Sequence, residues 1–309
     1  MKRFVHNVVL FSAMALLFVA VAVVVFGGTG ILRNVKYMPQ MWDFSRERLT
    51  EASRTKDVDI LFLGSSHCYR TFDTRFYASR GLRTFNLGTS NQTPLQSEML
   101  LHLYLDTLRP RMVVLEVHPD IVGNDGVESS IYLSGSLRPS IPLARMVIST
   151  HNVKAVLSAL CATVRNCFPC AETKGATKVD TANVYIPGGY VEYVGNQFNL
   201  SLKDSIVIRL NNKQISATKR IVDMLADKDI PCLLVEVPGT QALFHAYQNH
   251  DDFAETMQLI GNYVAPRPQL IDSLHFYDED HLNSKGAELF NAYFYDSIVH
   301  SFYNKYFLK

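Results

Sequence analysis

The sequence predicts an α/β domain, a parallel sheet covered by helices on both faces, carried behind one N-terminal transmembrane helix. Three observations predict it. Short wholly apolar runs alternate with segments of helical period. Each run ends at Gly or Pro, or at His-Pro, as buried parallel strands do. An uncharged apolar stretch stands apart at the N-terminus.

Val8 to Phe26 holds no charged residue over 19 positions. About 20 helical residues cross the hydrocarbon core of a bilayer. Lys2, Arg3 and His6 precede the run without an acidic neighbour. That keeps the N-terminus inside and sends the rest across the membrane. A cleaved signal peptide is the alternative. The run is long for one, and no small-x-small cleavage site follows it. The expected organisation is a cytoplasmic tip and anchor over 1–30, a stalk over 31–56 and the α/β domain over 57–309.

Val58-Asp-Ile-Leu-Phe-Leu63 reads as the first strand, followed at once by Gly64-Ser65-Ser66. Thr84 to Leu87 is a second strand. Glu98 to Leu108 is helical in period, and Met112 to Val117 is a third strand. Residues 121–205, rich in Ser, Gly, Thr and Asn, show no sustained period and read as an irregular insertion, a lid or recognition segment. Ser216 to Lys228 is an amphipathic helix, and Cys232 to Val237 a fourth strand. Asp251 to Val264 is helical, and Gln269 to Asp272 a short fifth strand. Ser284 to Tyr303 is a terminal helix with Ser284 as its N-cap.

The net charge of +1 leaves no basic stripe, so no nucleic-acid partner is expected. Of the five cysteines, Cys161, Cys167 and Cys170 cluster. In an oxidising compartment a local disulfide ranks ahead of free thiols. Metal ranks last, because no second ligand pair accompanies the one C-x2-C. No cofactor is expected.

Ligands of open parallel sheets sit outside the carboxyl ends of the strands. That rule gathers Ser66, Gly88, His118 and Pro238 at one rim. A serine at a strand-to-helix turn has an exposed hydroxyl with helix N–H groups around it. It needs a base to become a nucleophile. Asp278 and His281, three apart, can share one side of a turn. The carboxylate would then orient the ring while the other nitrogen faces a serine. Each feature also has a plain reading, Gly-Ser-Ser as a helix cap and the acids as a solvated helix start. Glu116, Asp120 and Glu236 fit a glycosidase carboxylate pair less well than ordinary strand-end roles.

Taken together, the motifs resemble the SGNH, or GDSL-type, hydrolase superfamily over residues 57 to 303. Gly64-Ser65-Ser66 matches its nucleophile block, and Asn86-Leu-Gly88-Thr-Ser-Asn91 its second block. Asp278-x-x-His281-Leu-Asn-x-x-Gly286 matches its last block. The resemblance implies a flavodoxin-like three-layer sandwich and a triad of Ser66, His281 and Asp278. It also implies an oxyanion hole from Ser66 and Gly88, for which Asn91 or His118 is the candidate further donor; His67 and His118 are candidate substrate contacts, and a structural role for His118 is the alternative. Two departures stand out: Ser65 replaces the usual Asp, and no asparagine follows the third strand, where Glu116-Val-His118-Pro119-Asp120 stands. Such a lost donor costs about 10²–10³ in turnover.

The anchor adds a resemblance to a subgroup that includes the D-alanyl transfer protein of teichoic-acid modification and the alginate acetylation proteins. It implies an esterase or O-acyltransferase on the outer side of a bacterial-type cytoplasmic membrane. The substrate would be an acylated surface glycan or other ester, with a membrane-bound O-acyltransferase as partner. The alternative is a non-catalytic accessory or glycan-binding partner of such an enzyme.

Overall fold

A computed structural model describes residues 1–26, 44–167, 182–195, 205–265, 271–300, 302 and 305. Two compact units emerge, Met1–Met41 with Val127–Thr177, and Trp42–Gly126 with Lys178–Lys309.

The second unit is built on a five-stranded sheet of β1 (Ile60–Leu63), β2 (Thr84–Asn86), β3 (Met112–Glu116), β6 (Cys232–Val235) and β7 (Asn262–Val264). All neighbours are parallel, in the order β2-β1-β3-β6-β7. Counting only the strands of this sheet, that is the 2-1-3-4-5 order of flavodoxin-like folds, whose switch point lies between the first and third strands. β1 and β3 are buried at every residue, so both of their faces must be covered. One face, with Ile60, Phe62, Met112, Val114, Leu233 and Val235, packs on Phe290 and Phe294 of α13 (Ser284–Phe294). On the other side α5 (Pro94–Leu108) packs against α10 (Asn212–Ala226), and α10 against β6.

The fifth strand is Asn262–Val264, inside the stretch whose period reads as helix. The helix, α12 (His250–Ile260), stops at Gly261. Three residues are too few for a period to register. The segment expected to pair, 269–272, is described only at Ile271 and Asp272. Asn283, not Ser284, caps α13, its side chain accepting from the Gly286 N–H.

The stretch read as irregular holds regular elements. α7 (Val127–Ser136), α8 (Ile141–Ser149) and α9 (Val153–Cys167) belong to the first unit, together with the apolar helix α1 (Lys2–Phe26). In α7 small polar residues explain the missing signal: Ser129, Ser130 and Ser134 are buried there and blur the apolar stripe. A hairpin, β4 (Asn183–Ile186) and β5 (Tyr190–Tyr193), follows in the second unit. Its Gly189 has φ 95°, and a Cβ there would stand 2.0 Å from the Asn86 carbonyl oxygen, so the close crossing over β2 requires glycine. Cys161 is a buried free thiol; the Cys167 side chain and Cys170 lie outside the described residues.

Candidate active site

The switch point carries the reactive residues. β1 ends at Leu63, and Gly64 turns the chain at φ 149° into α3 (Ser66–Thr71). Any Cβ at Gly64 would lie 2.5 Å from Glu116 Oε2. Glycine is needed because a buried carboxylate occupies that space.

Glu116, last residue of β3, clamps the turn. Its Oε2 accepts from the Ser65 N–H and from Ser65 Oγ, each at 2.7 Å, and its Oε1 accepts from the His118 N–H at 2.6 Å. With three donors bonded to it and 1% exposure, Glu116 holds the turn together and is not free for glycoside cleavage. Ser65 also caps α3, accepting from the His67 N–H. It thus holds the position that the resemblance gives to Asp.

Ser66 follows as the first helical residue. Its Oγ lies 2.7 Å from His281 Nε2, across 215 residues of sequence. His281 Nδ1 faces two carboxylates, Asp278 Oδ2 at 3.0 Å and Asp280 Oδ1 at 2.7 Å. Asp278 Oδ1 also accepts from the N–H groups of Asp280 and His281, which holds the loop in register with the ring. Burial opposes the charged ring, but Asp280 and Asp278 outweigh it and raise His281 to about 9. Asp280 is held far below the usual carboxylate range: burial alone would raise it, and His281 and His67 overcome that.

Asp280 is the residue that sequence reading passed over, as one acid of a solvated run. Its other oxygen lies 3.2 Å from His67 Nε2, while His67 Nδ1 meets Ser65 Oγ at 2.8 Å. The single Ser65 hydroxyl proton goes to Glu116, so His67 Nδ1 donates to Ser65. His67 therefore lies between the Glu116–Ser65 clamp and Asp280, with its Nε2 making no hydrogen bond among the described residues. The rings stack as well, His67 on His281 at 4.5 Å and on His118 at 4.0 Å. His67 and His118 are 4% and 2% exposed. They stand as interior supports of the ring and not as open substrate contacts. Burial, then the neighbouring His67, pushes His118 well below its ordinary value, keeping it neutral.

The expected oxyanion donors divide. The Ser66 N–H has no acceptor among the described residues. The Gly88 N–H is taken by Asn86 Oδ1 at 3.1 Å. Asn86 is wholly buried and also donates to the Cys68 and Phe72 carbonyls, tying β2 to α3. Asn91 sits in the turn before α5 with φ 51°. Hairpin residue Tyr193 stacks on Tyr277 at 4.2 Å, and Tyr277 on His281 at 5.3 Å, walling the site on that side.

No family model and no curated protein matches the chain. Among solved structures, a proposed acylhydrolase of Bacteroides fragilis NCTC 9343 is 12% identical with a TM-score of 0.42, covering 85% of this chain and 99% of its own. A GDSL-like lipase of Bacteroides thetaiotaomicron VPI-5482 is 11% identical with a TM-score of 0.41, covering 84% and 100%. Likenesses this distant do not bear on chemistry.

Proposed function

We propose that the chain is a serine esterase or O-acyltransferase of SGNH type that works through an acyl-serine. The carrying observation is the 2.7 Å approach of Ser66 Oγ to His281 Nε2, with carboxylates behind the ring. Ser66 Oγ attacks the ester carbonyl as its proton passes to Nε2. Asp278 and Asp280 stabilise the imidazolium. The Ser66 N–H meets the oxyanion, with Gly88 and Asn91 as the further candidate donors. His281 returns the proton to the leaving alkoxide, and water or a sugar hydroxyl then takes the acyl group by the reverse steps. The proposed setting is the outer side of a cytoplasmic membrane. There α1 is the anchor, acylated surface glycan the substrate, and a membrane-bound O-acyltransferase the partner that would supply acyl groups.

The occupied Gly88 N–H favours a second reading, a non-catalytic glycan-binding accessory. A fluorophosphonate probe separates the two. Covalent labelling at Ser66, lost in Ser66→Ala, supports the enzyme. An unlabelled Ser66 in folded protein supports the accessory.

A further inference from the structure

Helices α8 and α9 each turn an apolar face outward. On α8, Ile141 and Ile148, seven apart, are 69% and 63% exposed. On α9, Val153, Val156 and Leu160 follow the i, i+3, i+7 spacing of one stripe and are 73%, 42% and 36% exposed. The opposite faces are already used. Met146, Val147, Ala155, Cys161 and Ala162 are buried, and Asn166 Nδ2 donates to the Leu137 carbonyl beyond α7. The outward apolar residues are therefore surplus to the packing of this unit, and exposed apolar residues grouped on two helices that pack together mark an interaction site.

Charge and position identify what covers it. Residues 129–166 contain four Lys or Arg (Arg138, Arg145, Lys154 and Arg165) and no Asp or Glu. Apolar stripes carrying only positive charge suit an anionic lipid surface. In addition, α9 packs against α1 within the same unit. Among the described side chains of α1 only Ala20 and Ala22 are half-buried. They lie four and six residues before Phe26, about 6–9 Å along the helix axis. That is the depth at which an interfacial helix beds into the headgroup boundary.

We infer that α8 and α9 form a membrane-surface foot, laid on the outer leaflet beside the span and selective for anionic lipid. This rests on reading α1 as a retained anchor. The foot would restrict the tilt of the chain at the membrane and keep it where lipid-linked or membrane-proximal acyl donors are found.

The test places the reporter Val156→Trp in a Trp42→Phe background of the full-length chain. The protein is reconstituted in phosphatidylcholine vesicles with or without phosphatidylglycerol, using plain or tail-brominated lipid. The inference expects emission about twofold or more lower with brominated tails. The effect should be stronger with phosphatidylglycerol and weaker in Arg145→Glu/Lys154→Glu or in high salt. Bromine-insensitive emission with ready iodide quenching overturns it. So does emission shielded from both quenchers in particles of doubled mass, which assigns the face to a second copy. Intact mass reports α1 separately. A chain cleaved after α1 that still shows bromine quenching removes the anchor and keeps the foot; an intact chain without quenching does the reverse.

Discussion

Asp280 should control the pH at which Ser66 becomes reactive. His281 must be neutral at Nε2 to accept the Ser66 proton, yet it stands at about 9 in the free protein. About one ring in a hundred is then neutral at pH 7. Asp280, 2.7 Å from Nδ1, is the largest of the groups that raise it. An opposite charge at such range typically moves a pKa by about 1–3. Asp280→Asn should bring His281 down by about 1–2, toward the ordinary value near 6.5. Asp278 still orients the ring in that variant. The assay is the second-order rate of fluorophosphonate labelling against pH, which reports the free protein's base. Wild type should climb through an inflection near 9. The variant should inflect at lower pH and label about tenfold or more faster at pH 7, with a similar plateau above pH 10. A wild-type inflection near 6.5, or an inflection unmoved by Asp280→Asn, would refute the assignment of both carboxylates to His281.

The same raised pKa ties stability to pH. His281 is raised in the fold, so its contribution is fully present below about 6.5 and fades as pH rises through about 9. Thermal unfolding of Ser66→Ala should accordingly shift to lower temperature between pH 7 and 10, with a flatter response once Asp280→Asn is added. On aryl esters, Ser66→Ala should lose about 10⁴-fold or more of turnover while far-ultraviolet circular dichroism and Tm stay near wild type; retained turnover would move the nucleophile elsewhere. Glu116→Ala strands the buried N–H groups of Ser65 and His118. Denaturant titration should show a loss of about 1–3 kcal/mol for each unsatisfied donor, before any relaxation. Gly64→Ala drives a methyl to 2.5 Å from Glu116 Oε2. It should cost about 1–3 kcal/mol and slow Ser66 labelling with it; a silent substitution would show the clamp to be slack.

Much of this was legible in one dimension, because the signals are local. The strand before Ser66 is a run of apolar residues with both faces buried, and such runs announce themselves without a partner. The Asp278–His281 spacing sits within a single turn. The long apolar helix α1 needs only length and the absence of charge to be read. By contrast, α7 hides its period behind buried serines, and β7 is too short to carry one.

What only the tertiary structure decided is which group faces which. Asp280 reads as a solvated acid until His67, brought in from 213 residues away, appears on its far side. Glu116 reads as a strand-end acid until Gly64 opens the space it fills. The Gly88 N–H has no visible partner in the sequence until the fold shows Asn86 Oδ1 accepting from it. The sequence alone determined the alternating α/β pattern, the long apolar N-terminal helix and the candidates Ser66, Asp278 and His281. Hydrogen-bond partners between distant segments depend on strand order and register, and those are set by the packing of the whole sheet.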